Sequence, residues 1–433
     1  MKSIDVNNEI RSLVEKHHKL RGSCINLGAS ENVTSPSLRR IVVSDLMHRY
    51  SEWEENDIEH RWNQGGEYII EIEKITRDLS QKLFNAKYAE IRPISGQTAI
   101  LAAISAFAQP GTIVLETSMD EGGHGWCAFA SSMTWDSNAI GEYGGGNKIV
   151  NYAPDFLPFD FENFNIDVDA SVKKIKNVKP SLILLGSSYL LFPHPVKDIC
   201  EAANDVNAKV AYDGAHVMGL IAGKQWPNPL EDGADVLTGS THKTIPGPQR
   251  GLALTNDEDT LHKIGNALFP AYLTNHHPMN SAALAIVLGE LLEFGEDYSK
   301  QIVNNSKALG QALSQAGFKV IGENNGYTES HTLLPITSDK SEKAVKLLEK
   351  AHIIADMMDF SKANGIRIGT PEVTRVGMKE DDMEDIANFF KRVLIDHESP
   401  DKIAKDVIEY TKGFQNLHYS VDNGKKAYQF YSF

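Results

Sequence analysis

Short apolar runs of strand length alternate with longer segments of helical spacing through the first part of the chain. Residues 196–207 carry apolar side chains at helical intervals, which predicts a helix between two of these runs. Strands that are apolar throughout and are separated by helices are typical of a parallel sheet covered on both faces. The pattern therefore predicts an α/β fold, in which ligands bind beyond the carboxyl ends of the strands. Strands are predicted at 112–116, 181–186, 209–212 and 236–239.

The pattern changes after about residue 280, where one long helical stretch extends towards a stop at Gly317. A smaller α/β region follows this helix. At the other end of the chain, a helix and a short strand precede the strands of the first part. The elements predicted in these outer regions are strands at 24–27, 319–322 and 332–336 and helices at 342–351 and 380–395. We therefore divide the chain into an N-terminal arm (1–40), a large domain (41–278), and a long linking helix with a small domain (279–433).

Composition and charge narrow the classes of function. The chain has 58 acidic and 43 basic residues, a formal net charge of −15, which disfavours nucleic acid and anionic membranes as partners. We find no apolar run that would serve as a signal sequence or a membrane span. The three cysteines lack the paired spacing of a metal site or a disulfide framework, so no metal and a cytoplasmic, reducing location are expected.

The strongest local signal lies at 235–251, DVLTGSTHKTIPGPQRG. A predicted strand ends in small residues, Lys243 follows, and a turn rich in proline and glycine prevents a regular helix behind it. A lysine at a strand end is most often solvated. A lysine shielded from solvent, however, has a lowered pKa and can form an imine.

Two further motifs follow or precede predicted elements in the same way. Asp213 ends a strand in YDGAH, and a buried carboxylate there would need a cation such as a protonated pyridine nitrogen; the alternative is a helix N-cap. Residues 93–99, PISGQTA, open a helical pattern, and its first amides suit a phosphate; the alternative is an ordinary Ser-Gly cap.

Two single residues complete the set of candidates. His124, in DEGGHGW, could stack on an aromatic ring, although an isolated loop histidine is the simpler interpretation. Arg367, in GIRIGT, could bind a carboxylate through two hydrogen bonds, and the alternative is a surface ion pair.

Together these motifs resemble serine hydroxymethyltransferase, a family of fold-type-I pyridoxal-phosphate enzymes. The resemblance extends over nearly the whole chain, through GASENVTS (28–35), HRYSE (48–52), SGQTA, DEGGH, FPHP (192–195), YDGAH, STHKT and GIRIGT. It implies a large cofactor-binding domain with a mostly parallel seven-stranded sheet and a smaller C-terminal α/β domain. It also implies a homodimer with shared active sites, which acts on a small amino acid and either an aldehyde or a folate.

The resemblance also assigns roles to residues. It implies that Lys243 forms the Schiff base with pyridoxal phosphate, that Asp213 pairs with the pyridine nitrogen, and that His124 stacks on the ring. The other cofactor contacts fall on Ser95, Gly96, Gln97, Ser188, His216, Thr241 and His242. For the amino acid, Arg367 holds the carboxylate, and the remaining substrate-site positions are Ser30, Tyr50, Glu52 and Trp62. Tyr50 and Glu52 are catalytic positions that the family supplies across the dimer interface.

Two departures from the family pattern lie on the folate side. Where the family reads close to G-x-P-G-[KR]-R-Y-Y-G-G, this chain reads WEENDIEHRWNQGG at 53–66. Anchored on Arg61, the two tyrosine positions hold Trp62 and Asn63; anchored on the Gly-Gly pair, they hold Asn63 and Gln64. The loop before Arg367, at 357–364, is also short for one that contacts a pterin.

These departures favour a folate-independent aldolase or transaldolase. Such an enzyme cleaves a β-hydroxy-α-amino acid of the serine or threonine type through a glycine quinonoid, and Glu52 would handle the proton of the β-hydroxyl. Residues 242–251, HKTIPGPQRG, resemble the lysine segment of threonine transaldolases. The alternatives are an authentic serine hydroxymethyltransferase that uses tetrahydrofolate or a related pterin, another pyridoxal-phosphate reaction such as racemisation or transamination, and a non-catalytic homologue.

Overall fold

The computed structural model describes residues 3–53, 57–109, 111–126, 153–358 and 364–430. In this part of the chain the strands are β1 (Ile25–Asn26), β2 (Tyr88–Glu90), β3 (Ile113–Glu116), β4 (Ala153–Phe156), β5 (Phe159–Asp160), β6 (Asn165–Ile166), β7 (Leu182–Leu185), β8 (Lys209–Asp213), β9 (Val236–Ser240), β10 (Gly251–Thr255), β11 (Thr332–Leu333), β12 (Ile353–Ile354), β13 (Asp356–Met358) and β14 (Gly365–Gly369). The helices are α1 (Ser3–Arg21), α2 (Pro36–Val42), α3 (Glu67–Phe84), α4 (Gly96–Phe107), α5 (Val168–Val178), α6 (Val196–Asn204), α7 (Met218–Ala222), α8 (Glu258–Ala267), α9 (Pro278–Gln315), α10 (Ser341–Lys350), α11 (Pro371–Arg375), α12 (Asp382–Leu394) and α13 (Pro400–Thr411).

A seven-stranded sheet in the order β2-β10-β9-β8-β7-β3-β4 forms the centre of the fold. The strands from β9 through β8, β7 and β3 to β4 run parallel to one another, and β10 is antiparallel to both β9 and β2. Every residue of β7 and β9 is buried, as expected of strands that are covered on both faces. The α/β class and the mostly parallel seven-stranded sheet are therefore confirmed, and all four strands predicted in this region exist.

The long helix α9 connects two hydrophobic cores. Its first half contributes Leu284 and Val287 to the core of the central sheet, and its second half contributes Leu309 and Leu313 to the C-terminal core. It ends just before Gly317, whose φ of +102° is a conformation that favours glycine. The predicted long helix and its stop are thus confirmed.

The C-terminal core lies around a three-stranded sheet in the order β11-β14-β13. The N-terminal strand β1 pairs in parallel with β12, so the start of the chain is attached to this part of the fold. The division at residues 40 and 278 stays a prediction. Among the described helices, none has both the length and the apolar character needed to cross a bilayer.

The strand predicted at 319–322 is wrong. Among the described residues Val320 makes only an isolated bridge to Pro335, flanked by hydrogen bonds from Ile321 N to Leu334 O and from Ile336 N to Lys319 O. Gly322 then turns the chain with a φ of +82°. The strand predicted at 332–336 shortens to β11 because the same proline ends it.

Candidate active site

The two strongest candidates lie beyond the ends of adjacent parallel strands. Asp213 is the last residue of β8, and Lys243 comes three residues after the end of β9. The Nζ of Lys243 lies 3.0 Å from Nε2 of His216. Burial lowers the pKa of Lys243 to about 8, although the nearby Asp213 carboxylate acts in the opposite direction. At this pKa about a tenth of the lysine is a free amine at pH 7, and the free amine is the form that attacks a carbonyl carbon.

The loop that carries Lys243 is held by its neighbours. Thr241 donates its hydroxyl proton to the carbonyl of Pro248 at 2.6 Å, and Thr244 donates to the carbonyl of His216 at 2.9 Å. A hydroxyl proton that is used in this way is not available to a cofactor, so the contact that the structure gives to Thr241 is with its own loop. His242 is half-buried, and burial together with Lys243 lowers its pKa to about 4, so its ring is neutral.

Asp213 is an anion in a nearly closed environment. Its side chain is 5% exposed, and its Oδ1 accepts a hydrogen bond from the Ala215 amide at 3.0 Å. Its Oδ2 lies 3.0 Å from Nδ1 of His124 and 3.4 Å from Nε1 of Trp126. Burial acts to raise the pKa of Asp213, but His124 and Lys243 outweigh it and the pKa lies below its ordinary value. The N-cap interpretation of Asp213 is wrong, because the helix that follows is capped at Val217.

The N-terminus of α4 lies against the end of β9, the strand that precedes Lys243. Ser95 is the N-cap of α4, and its hydroxyl accepts a hydrogen bond from the Thr98 amide at 3.1 Å. A Cβ placed on Gly96 would stand 2.3 Å from Oγ of Ser240, so only glycine allows this approach. The amides of Gly96 and Gln97 belong to the first helical turn, which has no carbonyl partner within the helix and suits a phosphate.

Three histidine rings lie nearly parallel beside Lys243. The rings of His124 and His216 are 6.0 Å apart between centroids, and those of His216 and His331 are 5.6 Å apart. Ser188 orients the first of them, since its Oγ lies 2.9 Å from Nε2 of His124. Burial, and then Lys243, hold the pKa of His216 well below its ordinary value. Burial also lowers the pKa of His331 to about 3, so these two rings are neutral.

His331 is absent from the sequence-based candidates. It sits at the start of β11, in a stretch with no spacing or composition that indicates a ligand. Its Nε2 lies 3.1 Å from the carbonyl oxygen of Ala29, the residue before Ser30. Burial of a histidine at this point was the only signal, and burial is a property of the folded chain.

Arg367 lies on β14 and enters the site from the C-terminal part of the fold. Its Nη2 donates to Oγ of Ser30 at 2.8 Å and to Oδ2 of Asp356 at 2.9 Å. The side chain of Arg367 is only 13% exposed, so its pair with Asp356 is not the surface ion pair of the alternative interpretation. Arg367 and Ser30 come together as predicted, whereas Asp356 is a third member that sequence reasoning missed.

An open cavity of about 280 Å³ adjoins Arg367. Its walls combine two glycines, two methionines and a tyrosine, and one acidic side chain lies at its edge. The lining residues are Met119, Asp120, Gly122, Gly123, Ser188, Tyr189, Met357 and Arg367. The predicted short loop at 357–364 begins here, and its residues 359–363 lie outside the described part of the chain.

Tyr50, Glu52 and Trp62 lie elsewhere. Within the described residues, neither Tyr50 nor Glu52 hydrogen-bonds through its side chain to the group around Lys243. The backbone amide of Glu52 donates to Oδ1 of Asn63 at 3.1 Å, which keeps the two halves of the segment 50–63 together. Tyr50 is 54% exposed and Trp62 is 64% exposed. Among the described residues, therefore, no hydrogen bond or ion pair links these three side chains to Lys243.

A buried carboxylate holds that segment in place. Glu73, on α3, accepts hydrogen bonds from Oγ of Ser51 at 3.0 Å, from Nε1 of Trp53 at 3.1 Å, and from Nη2 of Arg61 at 2.6 Å. Oε1 of Glu73, which accepts from Ser51, also lies 2.6 Å from Nε2 of His276. Burial acts to raise the pKa of Glu73, but His276 and Arg61 outweigh it and keep the carboxylate charged. The segment is thus rigidly anchored although its functional side chains point outward.

The residues around Lys243 fit pyridoxal phosphate. A lysine of lowered pKa can attach its aldehyde, a buried carboxylate can pair with its ring nitrogen, and a helix N-terminus can hold its phosphate. When it is bound, this cofactor supplies an electron sink for a carbanion at Cα. Among the described residues, no cluster of His, Cys, Asp and Glu side chains is arranged to hold a metal ion.

Comparisons with known proteins agree with this chemistry. The family model described as serine hydroxymethyltransferase matches residues 3–390. The serine hydroxymethyltransferase of Methanocaldococcus jannaschii is 44% identical over 438 residues, covering 98% of each chain, and that of Thermococcus onnurineus is 46% identical over 427 residues, covering 95% of each. The crystal structure of L-threonine transaldolase from Pseudomonas fluorescens in its internal aldimine state superposes with a TM-score of 0.88 at 27% identity, covering 97% of this chain and 94% of that one. The chain belongs to the serine hydroxymethyltransferase family of pyridoxal-phosphate-dependent enzymes.

Proposed function

We propose that this enzyme cleaves and forms the Cα–Cβ bond of β-hydroxy-α-amino acids of the serine or threonine type, and that it does so without folate. The observation that carries the proposal is the contrast between two sides of one site. Lys243, Asp213 and Arg367 converge within one chain, whereas the segment at 53–66 departs from the family pattern in which a pterin is bound. The similarity to an L-threonine transaldolase supports the same choice.

Each residue has a distinct part in this reaction. Lys243 would hold the cofactor through its side-chain amine. Asp213 keeps the ring nitrogen protonated, and His124 packs on the ring while Ser188 orients it. The first-turn amides at Gly96 hold the phosphate.

The substrate is oriented by its carboxylate. Arg367 and Ser30 already face one another at 2.8 Å and bind this group, so the β-hydroxyl points towards the open cavity. The proton of that hydroxyl needs a base, and Glu52 is the residue that we assign to it. We assign this carboxylate to a second copy of the chain, because within the described residues of one copy no hydrogen bond or ion pair links Glu52 to Lys243, and Tyr50 beside it is exposed.

A homodimer with shared active sites is therefore part of the proposal. The helix α1 has no buried residue, and its exposed apolar side chains recur at intervals that form one stripe. A second set of exposed apolar side chains lies before and within the segment 50–63, which contains Glu52. The two groups are Val6, Ile10, Leu13 and Leu20 on α1, and Val43, Met47, Tyr50 and Trp62 near the segment. Exposed apolar patches of this kind mark subunit contacts.

A second candidate function is authentic serine hydroxymethyl transfer to tetrahydrofolate. The names of the archaeal relatives at 44% and 46% identity favour it. In this candidate Trp62 would stack on the pterin in place of a tyrosine. A cytoplasmic location remains part of both candidates, since Cys24 and Cys200 are free and buried.

Purified holoenzyme with L-threonine and with L-serine, each with and without tetrahydrofolate, separates the two candidates. Our proposal expects glycine and acetaldehyde from threonine at the same rate in both conditions, and a new β-hydroxy amino acid when a second aldehyde is added. A rate with serine that rises at least tenfold with tetrahydrofolate, together with methylene-folate formation, would establish the second candidate instead. Lys243→Ala is the control that reports any background reaction.

A further inference from the structure

Asp356 lies beside Arg367 and shares a hydrogen bond with it. It is the first residue of β13 and pairs directly with Arg367 across the antiparallel sheet. Its Oδ2 accepts from Nη2 of Arg367 at 2.9 Å and from the amide of Ala29 at 3.2 Å. The side chain of Asp356 is 32% exposed, and its neighbours Met357 and Arg367 line the open cavity.

The contact with Asp356 uses Nη2 of Arg367, the nitrogen through which a carboxylate ligand would bind. A guanidinium binds a carboxylate in two-pronged fashion through Nη2 together with either Nε or Nη1. Nη2 of Arg367 carries two protons, and these point to Ser30 and Asp356. Among the described residues, the buried Nε of Arg367 has no hydrogen-bond partner. A carboxylate that arrives at this arginine must therefore take a proton that is already shared.

We propose that Asp356 is a specificity-determining residue, a resident carboxylate that competes with the α-carboxylate of the amino acid for Arg367 and so sets its affinity. The inference rests on the proposed role of Arg367 as the carboxylate-binding residue. Asp356 neutralises a nearly buried arginine while no substrate is bound, since an unpaired buried charge is destabilising. When the amino acid binds, the two carboxylates lie on one guanidinium, and their mutual repulsion weakens binding and favours release.

Asp356→Asn isolates the charge from the geometry. The amide oxygen of asparagine can still accept from Nη2 of Arg367 and from the Ala29 amide, so the arginine keeps its orientation while the negative charge is lost. We expect the dissociation constant of the holoenzyme for glycine, measured by titration calorimetry, to fall roughly tenfold. For glycinamide, which has an amine and no carboxylate, we expect no change.

Asp339→Asn is the matched control. Asp339 is also an ion-paired, partly buried aspartate in the C-terminal part of the fold, with Nζ of Lys343 at 2.7 Å, and it lies outside the site. The Asp339→Asn substitution should leave the dissociation constants for glycine and for glycinamide unchanged. Cofactor absorbance confirms that each variant is folded and loaded.

Two results would overturn the inference. An unchanged or larger dissociation constant for glycine in Asp356→Asn would mean that Asp356 only positions Arg367. An equal fall for glycine and glycinamide would mean that the effect does not pass through the carboxylate. If Arg367→Ala leaves glycine binding intact, the proposed role of Arg367 itself fails, and this failure is distinguishable because it appears without any change at Asp356.

Discussion

The group around Lys243 and the segment that carries Glu52 are held by opposite means. The first is assembled at strand ends, where Asp213, Lys243 and the start of α4 meet because adjacent parallel strands end at one edge of the sheet. The second is an irregular segment anchored by the buried carboxylate of Glu73. The first points its functional groups inward, whereas Tyr50 and Trp62 point outward. The difference teaches that the residues proposed to bind the cofactor converge within a single chain, whereas the segment that carries Glu52 presents exposed apolar side chains, which supports the proposed dimer.

Removing Lys243 tests the inward half of the site, the group formed by Lys243, Asp213 and the start of α4. This removal has the largest expected effect on activity. Lys243→Ala should lower threonine cleavage by roughly 10³-fold or more, because it removes the amine that attaches the cofactor and exchanges with the substrate. Borohydride treatment followed by mass measurement should find the cofactor linked to the wild-type chain and not to the variant. Substantial turnover by Lys243→Ala would remove the basis for the assigned role.

Mixing two inactive variants tests whether the halves come from different chains. Lys243→Ala and Glu52→Gln should each be nearly inactive. Unfolded together and refolded, or co-expressed, they should recover about a quarter of wild-type activity, because half of the random dimers then carry one intact site of two. Mixing each variant with itself is the control. No recovery in a verified mixed dimer would place Glu52 and Lys243 of the same chain in one site.

Breaking the anchor of the outward segment should mainly affect stability. Glu73→Gln leaves the buried guanidinium of Arg61 without its counter-charge, so the free energy of unfolding should fall by about 3–5 kcal/mol. Denaturant unfolding measures it. Glu71→Gln on the same helix removes an exposed partner of Lys74 and should change stability by no more than about 0.5 kcal/mol. Equal effects of the two variants would contradict a structural role for the buried network.

The smallest expected effect is a shift in pH dependence at the inward half. Only the free amine of Lys243 attacks the cofactor aldehyde, so the rate at which apoenzyme binds pyridoxal phosphate should rise with pH and level off above the lysine pKa of about 8. The Asp213 carboxylate raises this pKa. Asp213→Asn should therefore move the midpoint to lower pH, as followed by absorbance. A midpoint that stays in place or moves upward would show that Asp213 does not act on Lys243 in this way.

Local patterns predicted much of the inward half. Lys243 and Asp213 stood out because each follows a short apolar strand, and the strands β3, β7, β8 and β9 were readable from uninterrupted apolar runs. Sequence reasoning failed at 319–322, where the residues make one bridge and then turn at Gly322, since pairing depends on a partner strand that no local pattern shows. It also missed Glu73, because a glutamate on a helix is usually exposed and nothing local marks its burial.

By itself, the sequence determined the α/β class, the long helix that stops before Gly317, and the strand-end position of Lys243, since all three depend on periodicity or on turn residues that act over short distances. The tertiary structure alone decided which residues become neighbours across the sheet. It placed Asp356 opposite Arg367 and His331 beside His216, and it joined Ser51 and Arg61 to the buried Glu73. Strand register and burial join residues that are distant in the chain, and no local pattern contains that information.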